Sequence, residues 1–320
     1  MNFNGGSDLV ECLASLAIQN ALTEVVVVDN CSTDGSIEVA LSRFPATRVV
    51  HSVTNDGFAA AVESGAKAAS NETILVLNPD VRLYPNCVAA MRDALVANDG
   101  VAAPVLDLEA LGAVEYGCTI NSLGMPRGLA EPRPPFFVPG CALATTKRML
   151  ARVGGFDARF FLFAEDLEYC WRVLLAGGEV QVVPGARGWH RGGGSIPGGY
   201  ARAGGWSTSG TRVALRERNT LAAMISCSST MRLPLVVAGC VCRSIFLAGA
   251  AMVLRRPELA RGLLVGLAWN ARNIRRSLRR RSCLVRTPAG EREAHARMSH
   301  GWFMLRTLRD HGLPRLTGEP

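Results

Sequence analysis

Short apolar runs alternate with longer amphipathic ones through the first half of the chain. Asp8–Leu16 carries apolar positions at helical spacing. Glu24–Asp29 (EVVVVD) is four valines between acids, the composition of a strand covered on both faces. Turn residues Asn30–Ser36 follow, and Ser32 or Asp34 is suited to cap a helix over Ile37–Phe44. Arg48–Ser52 reads as a second strand, Gly57–Ser70 as a helix, Thr73–Leu77 as a third strand ending on Asn78-Pro79-Asp80, and Asn86–Ala97 as a helix. This alternation predicts an α/β fold with a mostly parallel sheet flanked by helices.

The pattern loosens from Val101 to Pro139, then resumes with helices over Thr146–Val153 and Asp166–Ala176 and a strand over Glu179–Val183. Arg191–Gly210 is rich in glycine and serine, which predicts a mobile loop closing over a ligand. Beyond Arg216 the chain reads as helical and apolar. Leu233–Leu254 is long enough to cross a bilayer but carries Arg243 near its midpoint, which favours a helix lying in the membrane surface over one that spans it. From Pro288 the chain is polar and expected to be loosely held. These shifts divide the sequence into residues 1–220, an apolar and Arg-rich region 221–287, and a polar tail 288–320.

Charge sharpens the reading of the C-terminal region. Between Arg255 and Arg286 stand ten arginines against the single acid Glu258, enough to account for the whole net charge of +8. A basic block beside apolar helices suits an anionic membrane surface on the cytoplasmic side, with nucleic acid as the competing partner. The ten cysteines have no CxxC spacing and read as reduced thiols.

Open α/β sheets bind ligands where loops converge at the carboxyl ends of strands. Asp29 and Asp80 each end a strand, and each has two readings: a turn or cap residue, or a group that accepts from a ribose or base or ligates a hard cation. Glu165, Asp166 and Glu168 follow the apolar run Phe160–Ala164. They read either as the acidic N-terminus of a helix or as a carboxylate whose pKa burial raises toward that of a general base. His190 is structural, or a further cation ligand if a carboxylate lies beside it. The turn after Glu24–Asp29 lacks the G-x-G-x-x-G spacing of a dinucleotide-binding oxidoreductase. A non-catalytic binding protein remains a competing reading.

Six blocks occur in order over about residues 2–220: NFN..SDLVECLASL, VVVVDNCSTDGS, TNDGFAAAVESG, ILVLNPDV, VGGFDARFFLFAEDLEYCWR and VVPGARGWHRGGGS. Together they resemble the family 2 glycosyltransferases of GT-A fold, in particular the bacterial rhamnosyltransferase-like members. The resemblance implies inverting transfer of a sugar, with rhamnose favoured, from a nucleotide-diphosphate donor to a glycan or polyprenyl-linked acceptor. It implies Asp166, with Glu165, as the catalytic base. It implies donor contacts at Asp29, Asn30, Ser32, Asp34, Asn55, Gly57, Asn78, Asp80 and Arg172, and a divalent cation (Mg²⁺ or Mn²⁺) on Asp80 and His190. Arg216–Asn219 would lie near the diphosphate or acceptor. The enzyme would sit on the inner face of the cell membrane through its C-terminal helices, with no nucleic-acid partner. Asn78 stands where the family's first DxD acid is expected, and no apolar strand precedes the Asn-Phe-Asn turn. Either Met1 is an internal methionine or the domain is truncated.

Overall fold

The computed structural model describes residues 1–21, 24–192, 201–202, 205–301 and 315–316. Helix α1 (Gly6–Ala17) leads into strand β1 (Val26–Asp29), α2 (Ser36–Arg43), β2 (Arg48–His51), α3 (Gly57–Ala68), β3 (Thr73–Leu77), β4 (Val81–Leu83) and α4 (Cys87–Ala97). Apart from β4, which the sequence reading did not anticipate, these elements lie within two residues of the bounds read from periodicity. Valine-rich β1 pairs in parallel with β2.

The loosely patterned stretch holds more regular structure than its sequence suggested: β5 (Gly100–Leu108), β6 (Ala113–Glu115), the hairpin β7 (Cys118–Ile120) and β8 (Pro126–Gly128), and β9 (Ala142–Thr146). Helices α5 (Lys147–Val153) and α6 (Glu165–Leu175) and the strand β10 (Glu179–His190) complete the body. The main sheet runs β3-β9-β5-β10-β4, with β6 against β5. Its pairing is mixed: β5–β10 is parallel, whereas β9 runs antiparallel to both β3 and β5. Strand β10 continues past Val183 by a bulge that skips Pro184–Ala186, a proline being unable to donate to the ladder.

β1–β2 and the main sheet are separate ladders. Met1 and Asn2 lie between them: Asn2 bridges to Asp29, and the Met1 amino group donates to the Leu77 carbonyl at 2.9 Å.

Helix α6 is the centre of the core, buried from Leu167 to Leu175. Among its apolar residues sits an ion pair four residues apart, Glu168–Arg172 at 2.8 Å, both side chains 1% exposed. Arg172 also donates to the carbonyls of Val153, Gly154 and Gly155.

The chain after residue 209 forms a helical layer on this body. Helix α7 (Gly210–Cys227) packs closely on α9 (Pro257–Ser282), where a Cβ at Gly266 would sit 3.0 Å from the Arg218 nitrogen. Helix α8 (Leu233–Val253) buries the small residues Cys240, Ser244, Ala248 and Ala251 and exposes Leu235, Ile245, Phe246, Met252 and Val253. It is the one described helix long and apolar enough to cross a membrane. Arg243 does not face outward as its position in the apolar run suggested: it pairs with buried Glu217 of α7 and donates to the Leu123 carbonyl. Nor is the start of the polar tail loose. Pro288–Arg297 is helix α10, and Arg297 donates to the Pro135 and Val180 carbonyls and to Glu179.

Arg280 of α9 reaches Glu168 at 2.6 Å, so one buried carboxylate serves two arginines. Burial by itself would raise the Glu168 pKa; Arg172 and Arg280 outweigh it and hold the group below its ordinary value of 4.5. The stability this lends is therefore full above that ordinary value and lost as pH falls through the lower folded value. Glu168→Gln, which leaves Arg172 without a carboxylate and Arg280 with Asp157 alone, should cost about 3–5 kcal/mol in urea unfolding at neutral pH. It should also flatten the acid limb of the stability profile; an unchanged midpoint would remove the network from the core's support.

Candidate active site

Strand ends from both sheets deliver polar side chains to one edge of the body. On the β1 side, Asp29 is 5% exposed and accepts from Asn2 Nδ2 at 3.1 Å and the Ser32 amide at 3.2 Å. Asn30, also buried, donates to the Gly57 carbonyl at 3.2 Å, while its Oδ1 has no partner among the described residues. Ser32 Oγ accepts from the Asn4 amide and Asn2 Nδ2. Asp34 accepts from the amides of Gly6 and Ser36, which is turn chemistry. Asn55 is exposed and accepts from the Gly57 amide.

Gly57 has φ +84°, and a Cβ there would lie 2.4 Å from the Phe161 ring. Its importance is this close approach: the next amide, Phe58, donates to the Phe161 carbonyl at 2.6 Å.

On the main-sheet side, β3 ends at Leu77 opposite Ala142, and β10 ends at His190 opposite Leu108 and Val81. The Asn78 amide donates to the Cys141 carbonyl. Asp80 Oδ2 lies 3.3 Å from His190 Nε2, and both residues are 7% exposed. Burial pushes the Asp80 pKa up, but the hydrogen bond from His190 and its charge prevail and lower it. For His190 burial pulls down, while the Cys141 sulfur and Asp80 push up, to about 11. Among the described residues no three His, Cys, Asp or Glu side chains gather as a metal cage. One carboxylate beside one imidazole nonetheless fits a hard cation that displaces the His190 proton and takes its other ligands from phosphate oxygens and water.

The acidic cluster divides by environment. Asp166 is partly exposed and accepts from the Gly140 amide at 2.9 Å and its neighbour's at 2.7 Å. Burial raises its pKa; these N–H groups and the charge of Arg216 oppose the rise. Glu165 is 4% exposed with Oε2 unpartnered, and burial together with Asp166 raises its pKa well above the ordinary range. Both carboxyls are thus harder to ionise than a free one, Glu165 more so than Asp166, which accepts two N–H bonds. Glu165 is enclosed, and of the two Asp166 is the carboxylate that solvent reaches.

Arg172, expected among the donor contacts, is committed to Glu168 and three backbone carbonyls and is 1% exposed, so it is unavailable to a ligand. Half of the predicted lid, residues 193–200 and 203–204, lies outside the described residues; Ala201–Arg202 and Gly205–Thr208 are short strands.

Two residues, Glu115 and Asn2, were given no role by the sequence reading, and a third, Asn219, was given a different one. Glu115, on β6, is pushed to about 7 by burial, moderated by His190 and reinforced by Asp166. It came from the stretch without periodicity, and no spacing marked it. Asn2 joins Asp29, Ser32 and Ser36 through one amide. Asn219 of α7 is fully buried, and its Nδ2 donates to the carbonyls of Phe160, Leu162 and Phe163 at 2.7, 2.8 and 2.7 Å. That loop has left-handed φ at Phe161, Phe163 and Ala164 (59°, 73° and 61°), each costing about 1–3 kcal/mol, immediately before Glu165 and Asp166. Arg218 donates to the carbonyls of Arg159 and Phe160. The segment expected to touch ligand directly thus braces the loop that carries Asp166, and of its members Arg216 has its charge felt at that carboxylate.

A family model described as Glycosyl transferase family 2 matches residues 1–153. The N-acetylglucosaminyl-diphospho-decaprenol L-rhamnosyltransferase of Mycobacterium tuberculosis is 27% identical over 222 residues, covering 58% of this chain and 72% of that protein. Among solved structures, S. aureus TarS 1–349 in complex with UDP-GlcNAc superposes with TM-score 0.54 at 13% identity, covering 94% of this chain and 91% of its own. The mannosyltransferase PcManGT from Pyrobaculum calidifontis, in complex with GDP-Man and Mn²⁺, gives 0.53 at 16%, covering 84% and 85%. GalNAc-T7 with UDP, GalNAc and Mn²⁺ gives 0.56 at 14%, and this chain spans only 45% of its length.

Asn219→Ala should take a donor from the carbonyls of Leu162 and Phe163, while Phe160 keeps Arg218, and lower stability by about 1–3 kcal/mol, with hydrogen exchange accelerated first at residues 158–165. Exchange unaltered there would mean the loop holds its strained shape without the amide.

Proposed function

Since this chain belongs to glycosyl transferase family 2 and has the GT-A fold, we propose that it transfers a sugar, with inversion, from a nucleotide-diphosphate donor to a hydroxyl of a lipid-linked or cell-wall glycan acceptor. The observation that carries this reading is the convergence of the Asp80–His190 pair and the N–H-supported Asp166 on one edge of the sheet. Rhamnose is the favoured sugar, and a polyprenyl diphosphate the favoured carrier, because the mycobacterial relative bears that activity in its name.

Asp29, with Asn30 and Ser32 around it, supplies acceptors for the nucleoside. Asn55 and Asp34 line the same turns from the solvent side. Asn78, Asp80 and His190 face the diphosphate. A divalent cation on Asp80 and His190, Mg²⁺ or Mn²⁺, would neutralise charge on the departing diphosphate. Asp166 takes the proton of the acceptor hydroxyl as that oxygen attacks the anomeric carbon from the side opposite the leaving group. Protonated Glu165 beside it keeps a second negative charge away from the nucleophile.

Residues 1–220 form the transferase domain in this reading and 221–287 the membrane-associating region. The outer face of α8, with Leu235, Ile245, Phe246, Met252 and Val253, lies beside exposed Leu264, Val265 and Arg261 of α9, a combination suited to the interface of an anionic leaflet. Because the inner face of α8 packs on the protein, the helix rests on the bilayer rather than crossing it. The enzyme is cytoplasmic and peripheral.

Asp166→Asn keeps size and removes basicity, so kcat should fall roughly 10²–10⁴-fold with donor affinity retained. Near-normal turnover would move the base elsewhere, Glu115 first. Asp80→Ala should abolish the metal dependence of donor binding by titration; equal donor affinity with and without chelator in the parent protein would end the metal assignment. High salt or carbonate should strip much of the protein from membranes, because the charge contribution is screened. Release by detergent alone would instead mean a spanning helix.

A further inference from the structure

Toward the C-terminal end of α6, away from Asp166, a recess lies between that helix, the turn joining α7 to α8, and α10. Its volume is about 260 Å³. Trp171 and Leu175 of α6, Val236 of α8, and Ala294 and Met298 of α10 give it apolar walls. Trp171, Leu175 and Ala294 are buried, whereas Arg232, His295 and His300, which also line it, are exposed. The recess is therefore apolar within and polar at its mouth.

The α7–α8 turn brings two unmatched polar groups to this recess. Ser228 is 4% exposed, and its hydroxyl has no hydrogen-bond partner among the described residues. Arg232 lies against the His295 ring, 2.6 Å from Nδ1, and pairs with no carboxylate among the described residues. Glu291, which also lines the recess, is taken by Arg286 at 3.0 Å. Slight burial, then Arg232 and His300, hold the His295 pKa below its ordinary value of 6.5, so that ring carries no charge at neutral pH. Arg281 fixes the turn through the Ser228 carbonyl and the Thr230 hydroxyl, which sets the polar groups in place before a ligand arrives.

We propose that this recess binds a small amphiphilic monocarboxylate, with its acyl chain against the apolar walls and its carboxylate at Ser228 and Arg232. A buried hydroxyl left unpaired is costly, and a carboxylate oxygen satisfies it. A guanidinium beside a neutral imidazole matches a monoanion and leaves the second charge of a phosphate monoester uncompensated. Chain length follows from volume. A methylene group needs roughly the 30 Å³ that a water occupies in the liquid, so about 260 Å³ takes a chain of roughly eight carbons. The site is separate from the one that carries the transferase reading, although both lie against α6.

The test titrates the full chain by calorimetry with octanoate, 1-octanol and octyl phosphate, each below its micellar range. The parent protein should bind octanoate roughly tenfold or more tightly than 1-octanol, because only the carboxylate meets Arg232. Arg232→Gln, at an exposed position and with melting temperature as the control for folding, should remove that advantage and leave 1-octanol affinity unchanged. Ser228→Ala should also weaken octanoate more than 1-octanol, and Val236→Phe, which narrows the recess, should weaken both. Absence of octanoate binding by the parent overturns the proposal, as does unchanged octanoate affinity in Arg232→Gln or Val236→Phe. Tighter binding of octyl phosphate than of octanoate would overturn it in favour of a phosphate ligand, and equal binding of 1-octanol would leave no carboxylate recognition. None of these measurements involves a sugar-nucleotide, so they fail independently of the transferase reading.

Discussion

Glu168 is a carboxylate with no exposure, in the middle of an otherwise apolar helix, and the rest of the body is arranged around keeping it paired. An uncompensated charge at that depth would be prohibitive, so two arginines from different parts of the chain are bound to it. Arg172 comes from the same helix and fastens the end of α5 through the carbonyls of Val153, Gly154 and Gly155. Arg280 comes from 112 residues away and ties α9 to the same point. The requirement to satisfy one acid thus unites the transferase body and the C-terminal layer into one structure. It also explains why α7 and α9 can pack with their backbones close, as at Gly266: their position is already fixed by α6.

The active edge exploits that rigidity. Phe161, Phe163 and Ala164 adopt conformations that L-residues avoid, and they do so because both sides of the loop are held. Gly57 and Phe58 close in from α3, and Asn219 and Arg218 from α7. Strain of this kind survives only where the surroundings over-determine it. Its consequence is that Glu165 and Asp166 begin α6 with fixed and different environments, one enclosed with an unpartnered oxygen, the other partly exposed and held by two N–H donors.

The C-terminal helices show how the same composition serves two surfaces. Small residues at Cys240, Ser244, Ala248 and Ala251 let α8 lie close to the body, while the bulky residues point away. Arg243 sits on the inner side and is neutralised by Glu217, so the outward face is free of charge along its middle. The free cations are concentrated on α9 instead, beside the apolar face rather than within it. A monotopic helix layer needs that separation, because an apolar face inserts and cations bind at the headgroups.

Hydrophobic period by itself determined the α/β order of the first hundred residues, the bounds of β3, and the placement of Asp29 and Asp80 at strand ends, since these depend on local alternation and turn chemistry; His190 came to a strand end only because β10 runs seven residues past Val183. The six motif blocks added the family. Tertiary structure alone decided the rest. Strands β5 to β9 are specified by pairing partners far along the chain, so their own sequence carries little period, and Glu115 was invisible for that reason. Arg172 and Asp166 are six residues apart in one acidic, aromatic segment and looked equally functional, but helical geometry turned one into the core and the other toward the open edge. Arg243 and Arg297 read as surface charges until Glu217 and the carbonyls of Pro135 and Val180 were brought to them. Charge and burial are properties of neighbours, and neighbours are what a sequence read along its length does not contain.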